Sequence, residues 1–174
     1  KEDLRRLLPG YVRRFLEKPK PDEVTCNTIN AGIYILEPET FDRIPKDVSW
    51  SIERSYFPSL IERHETFVGY IYDGYWIDIG TPEKYTQVHR DVMDGRYLAE
   101  PFRDLAPPRA WIAPDARIED GATILGPCFI DEGALVKSGA TVGPYSVIGR
   151  QTQIEAAAIV AGSVIWPNCR IGHE

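Results

Sequence analysis

The chain has 174 residues, 43% hydrophobic and 11% aromatic, enough for one ordinary domain or two small ones with a packed core. Its formal net charge of −6, with no basic cluster larger than a pair such as Arg13 and Arg14, argues against nucleic acid or an anionic membrane surface as a main partner. Apolar runs fall far short of the ~20 residues of a membrane helix, the opening KEDLRR lacks a secretory apolar segment, and Cys26, Cys128 and Cys169 lie in no metal-ligand spacing, so a soluble, cytoplasmic protein is expected.

The chain begins at Lys1 with no clear element before Gly10, which suggests a piece of something longer. Residues 11–16 alternate enough to predict a strand, closed by Glu17-Lys18-Pro19. An acid and a base side by side at a strand end diverge to opposite faces unless the proline bends the chain, and a solvated ion pair is the ordinary reading of such a dipeptide. Residues 30–36, NAGIYIL, are an apolar β-branched run ended by Glu37-Pro38 and predict a second strand. Ile52, Phe57, Leu60 and Ile61 form a helical stripe in which Pro58 requires the helix to start or restart. Residues 66–72 and 75–79 predict a hairpin turned by Asp73-Gly74. Thr81 is a good N-cap, Pro82 suits the first helical position, Glu83 complements the positive helix end, and Tyr85, Val88 and Val92 line one face until Gly95. Residues 96–110, with three prolines, read as a linker.

Beyond Trp111 a period of six takes over. Ile112, Ile118, Ile124, Ile130, Val136, Val142, Ile148 and Ile154 fall six apart without a miss, and the residue four after each is small, from Ala116 to Ala158. After Ile154 the phase is expected to slip by one, with Ile159, Ile165 and Ile171 continuing the series. Such a period suits a short strand plus a turn, the aliphatic side chain facing the axis of a prism and the small residue filling a corner. Cys128 occupies one of these small-residue slots and reads as a buried filler. The pattern resembles the hexapeptide repeat of the left-handed parallel β-helix, which implies between three and four triangular coils.

Asp78 is the anomaly of the first half. On the predicted hairpin Tyr70 pairs with Ile77 and Val68 with Ile79, which puts Asp78 on the other face beside Trp76 and opposite Gly69. An acid aimed into space cleared by a glycine needs a counter-charge: a buried Lys or Arg, a helix N-terminus, or a metal. Capping the following helix and pairing with an arginine remain open beside the metal reading.

In order, G-x-V-x-x-F-x-E-K-P from Gly10, N-A-G-I-Y from Asn30, S-I-E-R-x-x-F-P from Ser51 and G-Y-W-I-D-I-G-T-P-E-K-Y from Gly74, followed by hexapeptide repeats, resemble the sugar-1-phosphate nucleotidyltransferase family, most closely its mannose-1-phosphate guanylyltransferase branch. The resemblance implies attack of a sugar 1-phosphate on the α-phosphate of a nucleoside triphosphate, with Mg²⁺ as cofactor and pyrophosphate released. It implies that Asp78 is one of two metal-binding carboxylates, that Lys18 holds the sugar phosphate and shares the catalytic role with Asp78, that Glu17 and Asn30 bind sugar hydroxyls, and that Gly32 lets the backbone approach the sugar. The implied fold is α/β, with residues 1–95 the sugar-binding part of a nucleotidyltransferase domain, followed by a left-handed parallel β-helix over 111–174. The family's glycine-rich G-x-G-T-x-x-x-P segment is not found in these 174 residues, so the chain alone is expected not to catalyse the transfer. Two other readings stand beside this one: a non-catalytic oligomerisation or regulatory module, and a hexapeptide acyltransferase, the latter opposed by the scarcity of histidine in the repeats, where His173 stands alone. Expected partners are a sugar 1-phosphate, a nucleoside triphosphate and further copies of the chain through the β-helix. His64, His89 and His173 are expected to be ordinary surface residues.

Overall fold

The computed structural model describes residues 10–106 and 109–172, and the chain divides after Gly74 into two compact units. None of the helices among the described residues is long and apolar enough to cross a membrane. The first unit is a small α/β region built around aromatic rings. Tyr56, Phe57 and Leu60 are buried, with Phe15, Tyr34, Leu36, Ile52 and Phe67 packed against them. Phe57 stacks on Phe67 at 5.0 Å, and Tyr34 meets it edge-on at 4.9 Å, the two geometries that the ring quadrupole favours. The helical stripe is read correctly and Pro58 has the expected effect. One π turn, Ile52–Tyr56, is capped by Ser51, whose hydroxyl accepts from the Arg54 amide at 3.1 Å, and α1 (Phe57–Glu62) restarts with Pro58 in its first turn.

The strands expected in this half do not form ladders. Residues 11–16 contribute one antiparallel bridge, Tyr11 opposite Val68, flanked by hydrogen bonds from Val12 to Phe67 and from Gly69 to Gly10. Residues 30–36 and 75–79 belong to no strand. Their alternation survives nonetheless. Tyr34 and Leu36 pack inward while Ile33 and Ile35 are 81% and 101% exposed, and Tyr75 and Ile77 are half-buried between exposed neighbours. The side-chain period belongs to a single segment, whereas a strand also needs a neighbour to pair its backbone, and among the described residues no backbone hydrogen bond pairs these segments.

In the second unit α2 (Pro82–Met93) starts as expected: the Thr81 hydroxyl accepts from the Lys84 amide at 3.3 Å and Pro82 opens the first turn. Tyr85, Val88 and Val92 are half-buried, but the residues the helix buries are Asp91 and Met93. The solenoid beyond it is a parallel β-helix, with eleven short strands on three faces among the described residues, between three and four coils. One face stacks β1 (Ala110–Ile112), β4 (Cys128–Ile130), β7 (Ser146–Ile148) and β10 (Val164–Ile165). The second stacks β2 (Arg117–Ile118), β5 (Leu135–Val136), β8 (Gln153–Ile154) and β11 (Arg170–Ile171). The third stacks β3 (Thr123–Ile124), β6 (Thr141–Val142) and β9 (Ile159–Val160). Ile130, Val136, Val142, Ile148 and Ile154 are fully buried along the axis, and Cys128, Ala134, Ala140 and Ala158 fill the corners. The Cys128 thiol is wholly inaccessible, and burial pushes its pKa up to about 11.

The phase slip falls one strand later than the spacing suggests. Val160 is the buried residue of β9, while Ile159 is 77% exposed, so the six-residue step continues from Ile154 to Val160. Register then shortens from eighteen to seventeen, as Val164 opposite Val147 and Arg170 opposite Gln153 show, and Ile165 and Ile171 resume the inward series. Two adjacent aliphatic residues leave the inward one undetermined until the ladder fixes which points to the axis.

Residues 96–106 contain neither helix nor strand, yet Phe102 is buried, 6.2 Å from the ring of Phe129, which itself stacks on Trp111. The last turn of α2 is fixed to the solenoid. Tyr145 donates to Asp94 at 2.9 Å beneath the Arg90 guanidinium, and Arg109 reaches the Met93 carbonyl at 3.4 Å. His89 departs from the surface expectation: it is half-buried, edge-on to Tyr85, its Nε2 without a partner among the described residues, and burial lowers its pKa. His173 lies outside the described residues.

Candidate functional site

Four of the five residues singled out by sequence belong to the first unit and Asp78 to the second. Glu17 is half-buried and Lys18 exposed. Lys18 holds a left-handed backbone, φ 50°, immediately before Pro19, so the chain does turn where the acid and base meet. Neither side chain has an ion-pair or hydrogen-bond partner among the described residues, and both remain available to a ligand.

Asn30 is the organised point of this unit. Its amide nitrogen donates to the Tyr34 hydroxyl at 2.7 Å and to Glu53 Oε1 at 2.9 Å, and its oxygen accepts from the Gly32 amide at 3.0 Å. Both amide hydrogens and one oxygen lone pair are therefore used within the chain. Gly32 closes this turn with φ 75°, and a side chain there would meet nothing within 4 Å, so its place is dictated by backbone conformation and the space above it is open. Glu53 and Tyr34 were not singled out beforehand. Each sits inside a quoted motif, I-E-R and N-A-G-I-Y, but the link between them is spatial and passes through Asn30.

Asp78 is exposed, and its carboxylate has no hydrogen bond or ion pair among the described residues. It does not cap the helix, since Thr81 performs that role, and it is in no arginine pair. The expected opposition to Gly69 is corrected. The Gly69 amide donates to the Gly10 carbonyl at 2.7 Å, and a Cβ on Gly69 would touch Val12. The glycine next to the acid is Gly80 instead, where a Cβ would come within 3.6 Å of both carboxylate oxygens. Glu83, one turn into α2, is held below the usual carboxylate range by its own backbone amide and by the Thr81 hydroxyl.

Asp78 offers a hard oxygen donor, the type that suits Mg²⁺. Among the described residues no three His, Cys, Asp or Glu side chains converge to form a cage. A lone carboxylate still fits Mg²⁺, which retains waters and is held by one or two carboxylates together with substrate phosphates.

Asp91 went unnoticed in the sequence. The residue is 5% exposed, and its carboxylate accepts from the Tyr75 hydroxyl at 2.8 Å, from Gln87 at 2.8 Å and from Arg96 at 3.2 Å. Burial alone would raise its pKa, but these three donors together outweigh it and hold the group below the usual range. Burial chiefly, and the bond to Asp91 after it, push the Tyr75 hydroxyl's pKa up.

Comparison with known proteins bears on the whole arrangement. A family model described as nucleotidyl transferase matches residues 8–95, the stretch that holds Glu17, Lys18, Asn30, Gly32, Glu53 and Asp78. The chain is 31% identical to a UTP--glucose-1-phosphate uridylyltransferase of Synechocystis sp., over 94% of this chain and 42% of that protein. It is 32% identical to a mannose-1-phosphate guanylyltransferase of Mycobacterium tuberculosis, over 92% of this chain and 41% of the relative. A mannose-1-phosphate guanyltransferase of Saccharomyces cerevisiae is 34% identical over 71% of the chain and 29% of its own length. The chain thus spans about two-fifths of the length of the first two curated relatives.

Proposed function

Since the chain belongs to the nucleotidyl transferase family, we propose that it supplies the sugar-phosphate side of a sugar-1-phosphate nucleotidyltransferase, with mannose 1-phosphate as sugar and GTP as nucleotide donor. The observation that carries this reading is the Asn30 cluster within the matched stretch: a carboxylate, a phenol and an amide brought together at an open glycine turn. Sugar hydroxyls are donors as well as acceptors, and the free oxygens of Glu53 and Glu17 can accept from them while the Asn30 bonds hold Glu53 in place. Lys18, exposed and without an ion-pair partner among the described residues, acts as a point charge for the sugar phosphate. Asp78 would hold Mg²⁺, which when bound neutralises phosphate charge during nucleotidyl transfer. Mannose and GTP are favoured because two of the three relatives above are named for that reaction, and the uridylyltransferase supplies the competing pair.

The glycine-rich segment that would cradle the triphosphate is not in this sequence, so turnover requires a polypeptide that provides it. Further copies of this chain, associated through the β-helix faces, complete the assembly we propose, and light scattering at micromolar concentration should give a mass above that of one chain.

The test is a backbone amide NMR titration of the chain with millimolar mannose 1-phosphate, glucose 1-phosphate and GTP separately. Sugar 1-phosphate should shift residues 17, 18, 30 and 32, mannose more strongly than glucose, and GTP alone should not. Shifts confined to other residues, or equal shifts from GTP alone, would overturn the assignment. A module used solely for oligomerisation would show no shift with any of the three.

A further inference from the structure

Asp78 lies at the middle of a short strap whose two ends are tied to one helix. Three residues before it, the Tyr75 hydroxyl donates to Asp91 in the third turn of α2. Three residues after it, Thr81 is the N-cap of the same helix. Along the helix axis the anchors Thr81 and Asp91 are ten residues apart, roughly 15 Å at 1.5 Å per residue. The six-residue strap can reach about 20 Å when fully extended, and the Tyr75 and Asp91 side chains add to that reach, so it returns along its own helix anchored at both ends without being stretched.

The Asp91 end is secured more heavily than a lone tyrosine bond requires. Gln87 and Arg96 both donate to Oδ1 of the same carboxylate, the oxygen Tyr75 leaves free, while the Asp91 carbonyl accepts from the amides of Arg96 at 2.8 Å and Tyr97 at 3.4 Å. The Tyr97 ring lies 5.4 Å from that of Tyr75. A buried carboxylate with three donors is costly to break, because removal of one partner leaves charge or hydroxyl unsatisfied in the interior. The structure also bolts this end of the helix to the solenoid through Tyr145 and Arg109.

We infer that Asp91, acting through Tyr75, is a positioning residue for Asp78: it anchors the far end of the strap and so restricts where the exposed carboxylate stands. This rests on the reading of Asp78 as a metal ligand proposed above. Fixing a ligand by residues that never touch the metal is how sites of this kind hold their geometry.

The test compares the full chain with Tyr75→Phe, which keeps the ring and removes the hydroxyl, and with Asp91→Asn as a second probe of the same anchor. Amide ¹⁵N relaxation should give order parameters near ~0.85 for residues 76–80 in the unaltered chain and below about 0.6 in Tyr75→Phe, with α2 and the solenoid unchanged. In parallel, Mn²⁺ is titrated in the presence of mannose 1-phosphate and broadening of the residue 78 amide is followed. Tyr75→Phe should need severalfold more Mn²⁺ for half-broadening. A strap that stays rigid in both variants, a helix that loosens together with it, or unchanged Mn²⁺ dependence would each overturn the inference. Absence of broadening in the unaltered chain, matched by Asp78→Asn, would instead overturn the ligand reading beneath it, while the order parameters still report on the anchor.

Discussion

Gly149 is the position where a single methyl group should do most harm to the solenoid. It follows β7, and its amide donates to the Ile165 carbonyl of the next coil at 2.9 Å. Its backbone is not left-handed, so alanine is conformationally acceptable, yet an alanine Cβ would stand 2.6 Å from Pro167 N, 2.8 Å from Trp166 C and 2.9 Å from Ile165 O. All three are main-chain atoms, so no side-chain rotation relieves the overlap. Comfortable contact for carbon begins near 3.5 Å, which means the next coil must lift by about 0.6–0.9 Å. Overpacking of this kind costs about 1–3 kcal/mol and loss of the coil-to-coil hydrogen bond roughly 1 kcal/mol more, against a gain of about 0.4–1 kcal/mol from a stiffer unfolded chain. The expected net loss for Gly149→Ala is about 1–3.5 kcal/mol. Gly172→Ala is the internal control, since a Cβ there meets nothing within 4 Å and the unfolded-state gain alone applies. Urea unfolding of both variants gives the difference, and amide exchange localises it. The amide of Asn168, bonded to the Arg150 carbonyl, should exchange faster, while that of Thr123, bonded to Ala140, should not. Equal stability of the two variants would show that the coils have more room than the contact distances allow and would refute the steric reasoning.

The three thiols should separate cleanly under alkylation at mildly alkaline pH. Cys26 is exposed with its pKa lowered by the Thr28 hydroxyl, and should react first; Cys128, inaccessible and pushed up to about 11, should react only on unfolding. Labelling of Cys128 together with Cys26 in the native protein would contradict the packed corner. Asp91 has a folded pKa depressed below its unfolded value, so its contribution is full above about pH 4 and is lost as pH falls through the lower folded value. Acid titration followed by the helical circular dichroism signal should show a step below pH 4 that Asp91→Asn removes, and an unchanged acid limb would count against the clamp. Thr81→Ala should cost α2 about 1 kcal/mol and Thr81→Ser much less, measured by chemical denaturation.

The solenoid was legible because its rule is local and repeats: an aliphatic residue every sixth position and a small one at each corner, with the same outcome at Ile130, Val136, Val142 and Ile148. The one misreading, Ile159 in place of Val160, arose where two neighbours both satisfied the rule. The helix starts at Pro58 and Pro82 were legible for the same reason, since a missing N–H and a side-chain cap act within one turn. Ladders in the first unit were not, because residues 30–36 carry the alternation of a strand without a neighbour to pair it. Asp91 was hidden because an acid on a helix reads as solvated until Tyr75, Gln87 and Arg96 are seen around it. The five motif residues are proposed from their order along the chain, whereas Glu53 and Tyr34 come into view only by meeting at Asn30.

The change in register from eighteen residues to seventeen after Val160 is absorbed without loss of the buried row, because the missing residue comes out of a bend. The stack therefore behaves like a folding screen, whose panels must match in width while its hinges need not. Grafted sequence inserted at those hinges, such as the bend at Gly162, should leave the panels standing, whereas one residue added within a panel would turn its neighbours inside out.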